Sequence, residues 1–158
     1  DEEGEHFQVC HLPLSEQLQR KVKAGQPQLL SFAPIPGLLE SDFLEWTAYL
    51  AAPTTLWFVA ADRVYWYRLQ PLAAGLMQIR TTLLVHPGSA DSENYPQTLA
   101  DEVEMMRTFH LEDMEMCGAV QSGLGSTAYT PGPLCSLEQP IWLFQRYLAR
   151  QIRQAQLA

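Results

Sequence analysis

Three strand-like stretches in a row, followed at once by the longest helical pattern in the chain, most limit what this sequence can become. Thr55 to Ala61 and Val64 to Leu69 are rich in aromatic and β-branched residues that suit a pleated surface, and their join at Asp62-Arg63 reads as a hairpin turn. After a connector from Gln70 to Gly75, Leu76 to Val85 alternates. Met77, Ile79, Thr81, Leu83 and Val85 lie on one face, with Gln78, Arg80 and Thr82 on the other. That order predicts an antiparallel sheet with one buried face, and such a face needs a helix across it. The helix is expected from about Pro96 to Gln121, where Leu99, Val103, Met106, Met114, Cys117 and Val120 trace one stripe. The fold class is therefore α+β.

The other segments are shorter. Ser15 to Lys23 reads as a helix broken at Ala24-Gly25-Gln26-Pro27, and Leu29 to Ala33 as a short strand. Asp42 to Leu50 reads as helix from the spacing of Phe43, Leu44, Trp46, Thr47 and Leu50. Gly123 and Gly125 end the long helix, and Tyr129 to Pro133 leads to a last amphipathic helix from about Leu137 to Gln154. A chain of 158 residues is expected to make one domain with a real core.

Charge narrows the functional classes. Ten Lys and Arg against 18 Asp and Glu give a net charge of −8, which repels a phosphate backbone or an anionic membrane. Nucleic acid is not an expected partner. No apolar run approaches the ~20 residues of a membrane helix, and Asp1, Glu2, Glu3 and Glu5 stand where a signal peptide needs basic residues. Cys10, Cys117 and Cys135 fit neither a disulfide framework nor a C-x2-C knuckle, so a reducing cytoplasmic setting is expected. No G-x-S-x-G elbow supports hydrolase chemistry.

Two histidines near the start, His6 and His11, carry the candidate chemistry, with Glu3 three residues before the first. On a helix, the two rings would point about 140° apart, so the helix is expected to end between them. Pro13 disfavours helix at Leu12, and the resulting bend could turn the second imidazole toward the first. Glu3 would share the helical face of His6, close enough to orient the ring or pass protons through it. Asp113 extends the apolar stripe of the long helix, an expensive place for a carboxylate that is not paired, hydrogen-bonded or metal-bound. Together His6, His11 and Asp113 would form a facial triad with open positions on iron(II) for dioxygen and substrate. The simpler readings are two solvated histidines and a helix-surface charge, with Glu112, about 100° away from Asp113, as the control position. His110, at i−3 from Asp113, reads as its hydrogen-bond partner. Gly123-Leu124-Gly125-Ser126 follows a helix instead of opening one, so it reads as a C-cap and not a phosphate loop. Trp57, Phe58, Tyr65, Trp66 and Tyr67 are either sheet core or the wall of an apolar pocket.

These residues resemble the catalytic domain of the α subunit of Rieske-type non-haem iron ring-hydroxylating oxygenases. Glu3-x2-His6-x4-His11 is similar to the family's acidic residue and two iron-binding histidines. Glu112-Asp113-x3-Cys117-x2-Val120-Gln121-x-Gly123-Leu124-x-Ser126-x2-Tyr129-x2-Gly132, with Leu134, Glu138 and Phe144, is similar to its C-terminal block, whose aspartate is the third ligand. Pro53 through Pro87, with Tyr67-Arg68-Leu69-x-Pro71-Leu72 and His86-Pro87, is similar to its central strands.

The resemblance covers nearly the whole chain. It implies an antiparallel sheet wrapped around a long C-terminal helix, the helix-grip arrangement of START-like proteins. It also implies iron(II) on His6, His11 and Asp113, with Glu3 between the iron and the Rieske cluster of a neighbouring subunit in a homotrimer. The implied reaction uses dioxygen to hydroxylate or dihydroxylate an aromatic or related organic substrate. Its electrons come from a 2Fe-2S Rieske cluster fed by a ferredoxin or reductase. The C-x-H and later C-x2-H of a Rieske domain do not occur in this chain, so that cluster is expected on a missing domain or a partner. Gly118 stands where the family commonly has a glutamate, and Glu5 where it commonly has an aromatic. The competing expectation is a helix-grip module that shelters an apolar molecule without redox chemistry.

Overall fold

The structure, a computed structural model, describes every residue except Asp1, Glu5, residues 26–29 and Ala158, and for Glu2 and Glu3 the backbone alone. The chain divides into two compact units, Asp1–His86 with Leu134–Ala158, and Pro87–Pro133.

The first unit is built on a six-stranded antiparallel meander in chain order: β1 (Glu2–Glu3), β2 (Phe7–Pro13), β3 (Glu45–Ala51), β4 (Thr55–Val59), β5 (Arg63–Ala73) and β6 (Leu76–Val85). Each strand pairs with its neighbour in sequence; short turns join β3 to β4, β4 to β5 and β5 to β6, whereas residues 14–44 connect β2 to β3. Ala60 donates to the Arg63 carbonyl at 2.9 Å to close the β4–β5 turn. Gly75, at φ 83°, supplies the left-handed residue at the β5–β6 tip. The expected hairpin and the strand at Leu76–Val85 are both present, but β5 runs on to Ala73 where a connector was expected. Since β4 ends its pairing at Thr55 opposite Arg68, the outer part of the β5–β6 hairpin is a two-stranded ribbon.

Register sorts the side chains onto two faces. One carries Phe7, Val9, His11, Tyr49, Trp57, Trp66 and Arg68; the other carries Gln8, Cys10, Ala48, Phe58, Tyr65 and Tyr67. The aromatic cluster is cross-strand packing: Trp57 on Trp66 at 6.5 Å and Phe58 edge-on to Tyr67 at 5.8 Å between ring centroids. Each such pair adds about 0.5–1.5 kcal/mol beyond its buried area.

Two expectations fail here. Asp42 to Leu50 is not a helix: Glu40–Phe43 makes one 3-10 turn and β3 begins at Glu45. Trp46, Thr47 and Tyr49 suit a strand, and partners on both sides in β2 and β4 satisfy its backbone, which outweighs a helix-like spacing over so few residues. Nor is there a strand in residues 30–33, the described part of Leu29 to Ala33. The amides of Ser31 and Phe32 donate to Asp62 Oδ2 at 2.7 and 3.0 Å, so a side chain takes the place of a neighbouring strand.

Helix α1 (Glu16–Lys23) starts at Ser15, whose hydroxyl accepts from the Leu18 amide at 3.4 Å. Helix α3 (Gln139–Leu157) follows a 3-10 turn at Ser136–Glu138. It meets β2 through Gln8, whose carboxamide donates to the Pro140 carbonyl and accepts from the Phe144 amide, both at 3.1 Å.

The second unit holds a 3-10 turn, Pro87–Asp91, and the 30-residue helix α2 (Tyr95–Leu124). Pro96 sits in its first turn, where a missing N–H costs nothing, and the Gly125 amide returns to Gln121 at 3.3 Å at the other end. Glu102 and Met106 are its buried residues, whereas Asp113 is exposed. The expected buried stripe is therefore limited to the early turns, and burial gives no reason for Asp113 to seek a partner. The α+β class holds, with an antiparallel sheet and a long C-terminal helix as its parts. Among the described residues no helix is long and apolar enough to cross a membrane.

Candidate functional site

A concavity in the first unit lies where the chain turns from β1 into β2 beside α3. The Gly4 amide donates to the Phe7 carbonyl and the Ala52 amide to the His6 carbonyl, both at 2.9 Å, so the backbone around His6 is held on two sides. A side chain at position 4 would overlap the Phe7 ring, which is why a glycine fits this turn. The His6 ring meets Tyr147 of α3 edge-on, 5.7 Å between centroids. The cavity they border has a volume of about 240 Å³.

Its walls divide by chemistry. Phe7, Ala52 and Leu143 give it an apolar side, while His6, Gln8 and Tyr147 bring polar atoms. Arg146 and Arg150, one helical turn apart on α3, form a cationic rim. Arg146 lies 4.5 Å over the Trp142 ring, and neither arginine has a carboxylate partner among the described residues. An apolar wall with a few converging polar groups is the usual form of a small-molecule site. Its cationic rim further suits an organic anion.

His11 lies elsewhere on the same strand. Its Nδ1 donates to Glu45 Oε1 at 2.7 Å, across the β2–β3 ladder. A carboxylate only accepts, so Glu45 makes Nδ1 the protonated nitrogen, the second-sphere arrangement that orients imidazoles toward metals.

The two histidines do not converge. From Phe7 to His11 the strand rises about 13 Å at ~3.3 Å per residue, and His6 precedes Phe7. His11 points to the face that carries Val9, while His6 meets α3, which packs by Gln8 on the opposite face. Metal–imidazole bonds are only about 2.0–2.1 Å long, so the two rings cannot share an ion in this conformation. The expected helix with a bend before Pro13 is replaced by β1 and β2, because residues 7–13 pair continuously with β3 from Ala51 to Glu45. Glu3 then sits opposite Gln8 in β1, not on a helical face with His6, and its side chain lies outside the described residues.

Asp113 belongs to the other unit, exposed on α2 beside Glu112, which is also exposed. His110 is half-buried with its ring 4.4 Å from Phe109. Within each unit, no three described His, Cys, Asp or Glu side chains gather in a way that could hold a metal ion.

Sequence reasoning missed Glu45, Tyr147, Arg146 and Arg150. The arginine pair did leave a signal, an i, i+4 repeat on an amphipathic helix; Glu45, 34 residues from His11, left none.

One comparison with known proteins gave a match. The family described as the ring hydroxylating alpha subunit (catalytic domain) matches residues 6–154. No curated protein and no solved structure matches the chain.

Proposed function

Because the chain belongs to the family of ring-hydroxylating α-subunit catalytic domains, we propose that it is the oxygenase domain of a Rieske-type enzyme acting on a small organic substrate with dioxygen. The observation that carries this reading is the family match, which spans residues 6–154 and so takes in His6, His11 and Asp113 but not Glu3. The family is generally dependent on non-haem iron, which when bound would supply dioxygen activation.

On the motif alone, His6, His11 and Asp113 are the proposed ligands, and Glu3 the residue that orients His6 and biases electron entry. In the observed conformation His6 lies against Tyr147 of α3 and His11 against Glu45, so these two rings do not converge. The assignment requires the segment from His6 to His11 to leave its ladder with β3 and bend. The cavity between His6 and α3 is the proposed substrate pocket, with Phe7 and Leu143 excluding water and Arg146 and Arg150 orienting an anionic group. Electrons would come from a 2Fe-2S Rieske cluster on another domain or a partner, through a ferredoxin or reductase. A homotrimer in the cytoplasm is the proposed setting.

The cavity and the separated histidines favour a second reading, a helix-grip module that binds an apolar molecule without redox chemistry. Elemental analysis after anaerobic purification with ferrous iron separates the two. The oxygenase reading expects one iron per chain, lost in His6→Ala, His11→Ala and Asp113→Ala and kept in Glu112→Ala. Iron retained in His6→Ala and Asp113→Ala overturns the ligand set, and no iron in the unaltered chain favours the binding module.

A further inference from the structure

Antiparallel register places Arg68 directly opposite Arg80, and Trp66 directly opposite Thr82, on one face of the sheet. Like charges in directly opposite positions destabilise a sheet. Neither guanidinium has a carboxylate partner among the described residues. Nor do the adjoining positions on that face supply one, since they are Thr55, Trp57, Gln70 and Gln78. The chain as a whole carries −8, yet a distant excess of acid is screened beyond about 8–10 Å and does not relieve this local pairing.

A second observation falls on the same four residues. Trp66, Arg68, Arg80 and Thr82 line a depression of about 160 Å³. The indole Nε1 of Trp66 is buried and has no acceptor among the described residues. A buried donor without an acceptor is rare, and an ion or ligand is one of the partners that can satisfy it.

The geometry points to an oxyanion site on this face of the sheet, which takes a phosphate group. Two guanidinium forks side by side match its oxygens and nearly balance its charge of about −1.5 to −2. Thr82 adds a hydroxyl donor, and the stacked Trp57–Trp66 pair offers an aromatic surface to whatever the phosphate is attached to. The site stands apart from the cavity at His6 and does not depend on the oxygenase reading.

The test follows the Trp66 indole N–H resonance of the full chain, assigned by its loss in Trp66→Phe, at constant ionic strength. Inorganic phosphate and phenyl phosphate are each expected to shift it saturably, and chloride to leave it in place. Tighter binding of phenyl phosphate identifies a phosphomonoester as the ligand, and equal or tighter binding of inorganic phosphate identifies the free ion. Arg68→Gln and Arg80→Gln should each weaken binding by about tenfold or more, while Arg153→Gln, on α3 and outside the depression, should not. In phosphate-free buffer Arg80→Gln should melt above the unaltered chain, and saturating phosphate should reverse that order. Equal shifts with chloride, unchanged binding in both arginine variants, or a lower melting temperature for Arg80→Gln without phosphate would each overturn the site.

Discussion

Arg63 donates through Nη1 to both carboxylate oxygens of Asp62, at 2.9 and 2.8 Å, in an ion pair whose two members are almost wholly buried. Its Nε donates to the Tyr65 hydroxyl at 3.0 Å, and its guanidinium lies 5.5 Å from the centre of the Trp46 ring. Asp62 in turn receives the amides of Ser31 and Phe32. The turn between β4 and β5 thus anchors the loop at Ser31 and Phe32.

Removing that anchor should be costly. Asp62→Ala removes the carboxylate that a buried guanidinium and the amides of Ser31 and Phe32 share, for a loss of about 3–5 kcal/mol by urea denaturation. A loss below about 1 kcal/mol would show that the loop is held by something else.

Iron should change the exchange of β2. With His6 and His11 on one ion, the amides of residues 7–12 and their partners in 46–51 must lose protection when ferrous iron is added. Hydrogen exchange read by mass spectrometry reports this directly. Iron bound with β2 fully protected would exclude joint ligation by the two histidines.

Acid should loosen the start of α3. The Cys135 amide donates to Glu138 Oε2 at 2.7 Å, and this bond, followed by one with the Cys135 side chain, holds the Glu138 carboxyl below its ordinary value. A lowered value in the folded state means the contribution is complete above the unfolded value of about 4.3 and fades as pH falls through the lower folded value. Amide shifts at Cys135 should follow that titration and stay flat in Glu138→Gln. A midpoint above the ordinary glutamate value would contradict the bond.

The three thiols should react in a set order. Burial pushes the Cys10 thiol up, while Cys117 is exposed on α2. At pH 8 a disulfide reagent should modify Cys117 faster than Cys10 by about tenfold or more. Peptide mapping of the first-labelled site settles the order, and Cys10 first would mean that β2 opens readily.

What the sequence revealed followed the length and regularity of each pattern. The ten residues of β6 alternate cleanly, and α2 carries Pro96 at one end and glycines at the other, so both were legible. The positions Phe43, Leu44, Trp46, Thr47 and Leu50 carry a helix-like spacing in a stretch that also suits a strand, and only pairing with β2 and β4 decided for β3. The start of the chain failed for the same reason: Phe7 to Pro13 is too short to declare its period, and the partner that fixes it lies at Glu45–Ala51. His6 and His11 were legible as candidates through their motif, but their surroundings were not. Glu45 reaches His11 through register and Tyr147 reaches His6 through a helix at the far end of the chain.

The two-stranded part of the β5–β6 hairpin beyond Arg68 has a use of its own. Its tip at Ala74–Gly75 is exposed, and Leu72, Leu76 and Met77 near it are more than half exposed, so little of the fold leans on this ribbon. It is a natural port for engineering, where an affinity tag, a fluorophore or a whole guest domain can be spliced in while the rest of the sheet keeps its register.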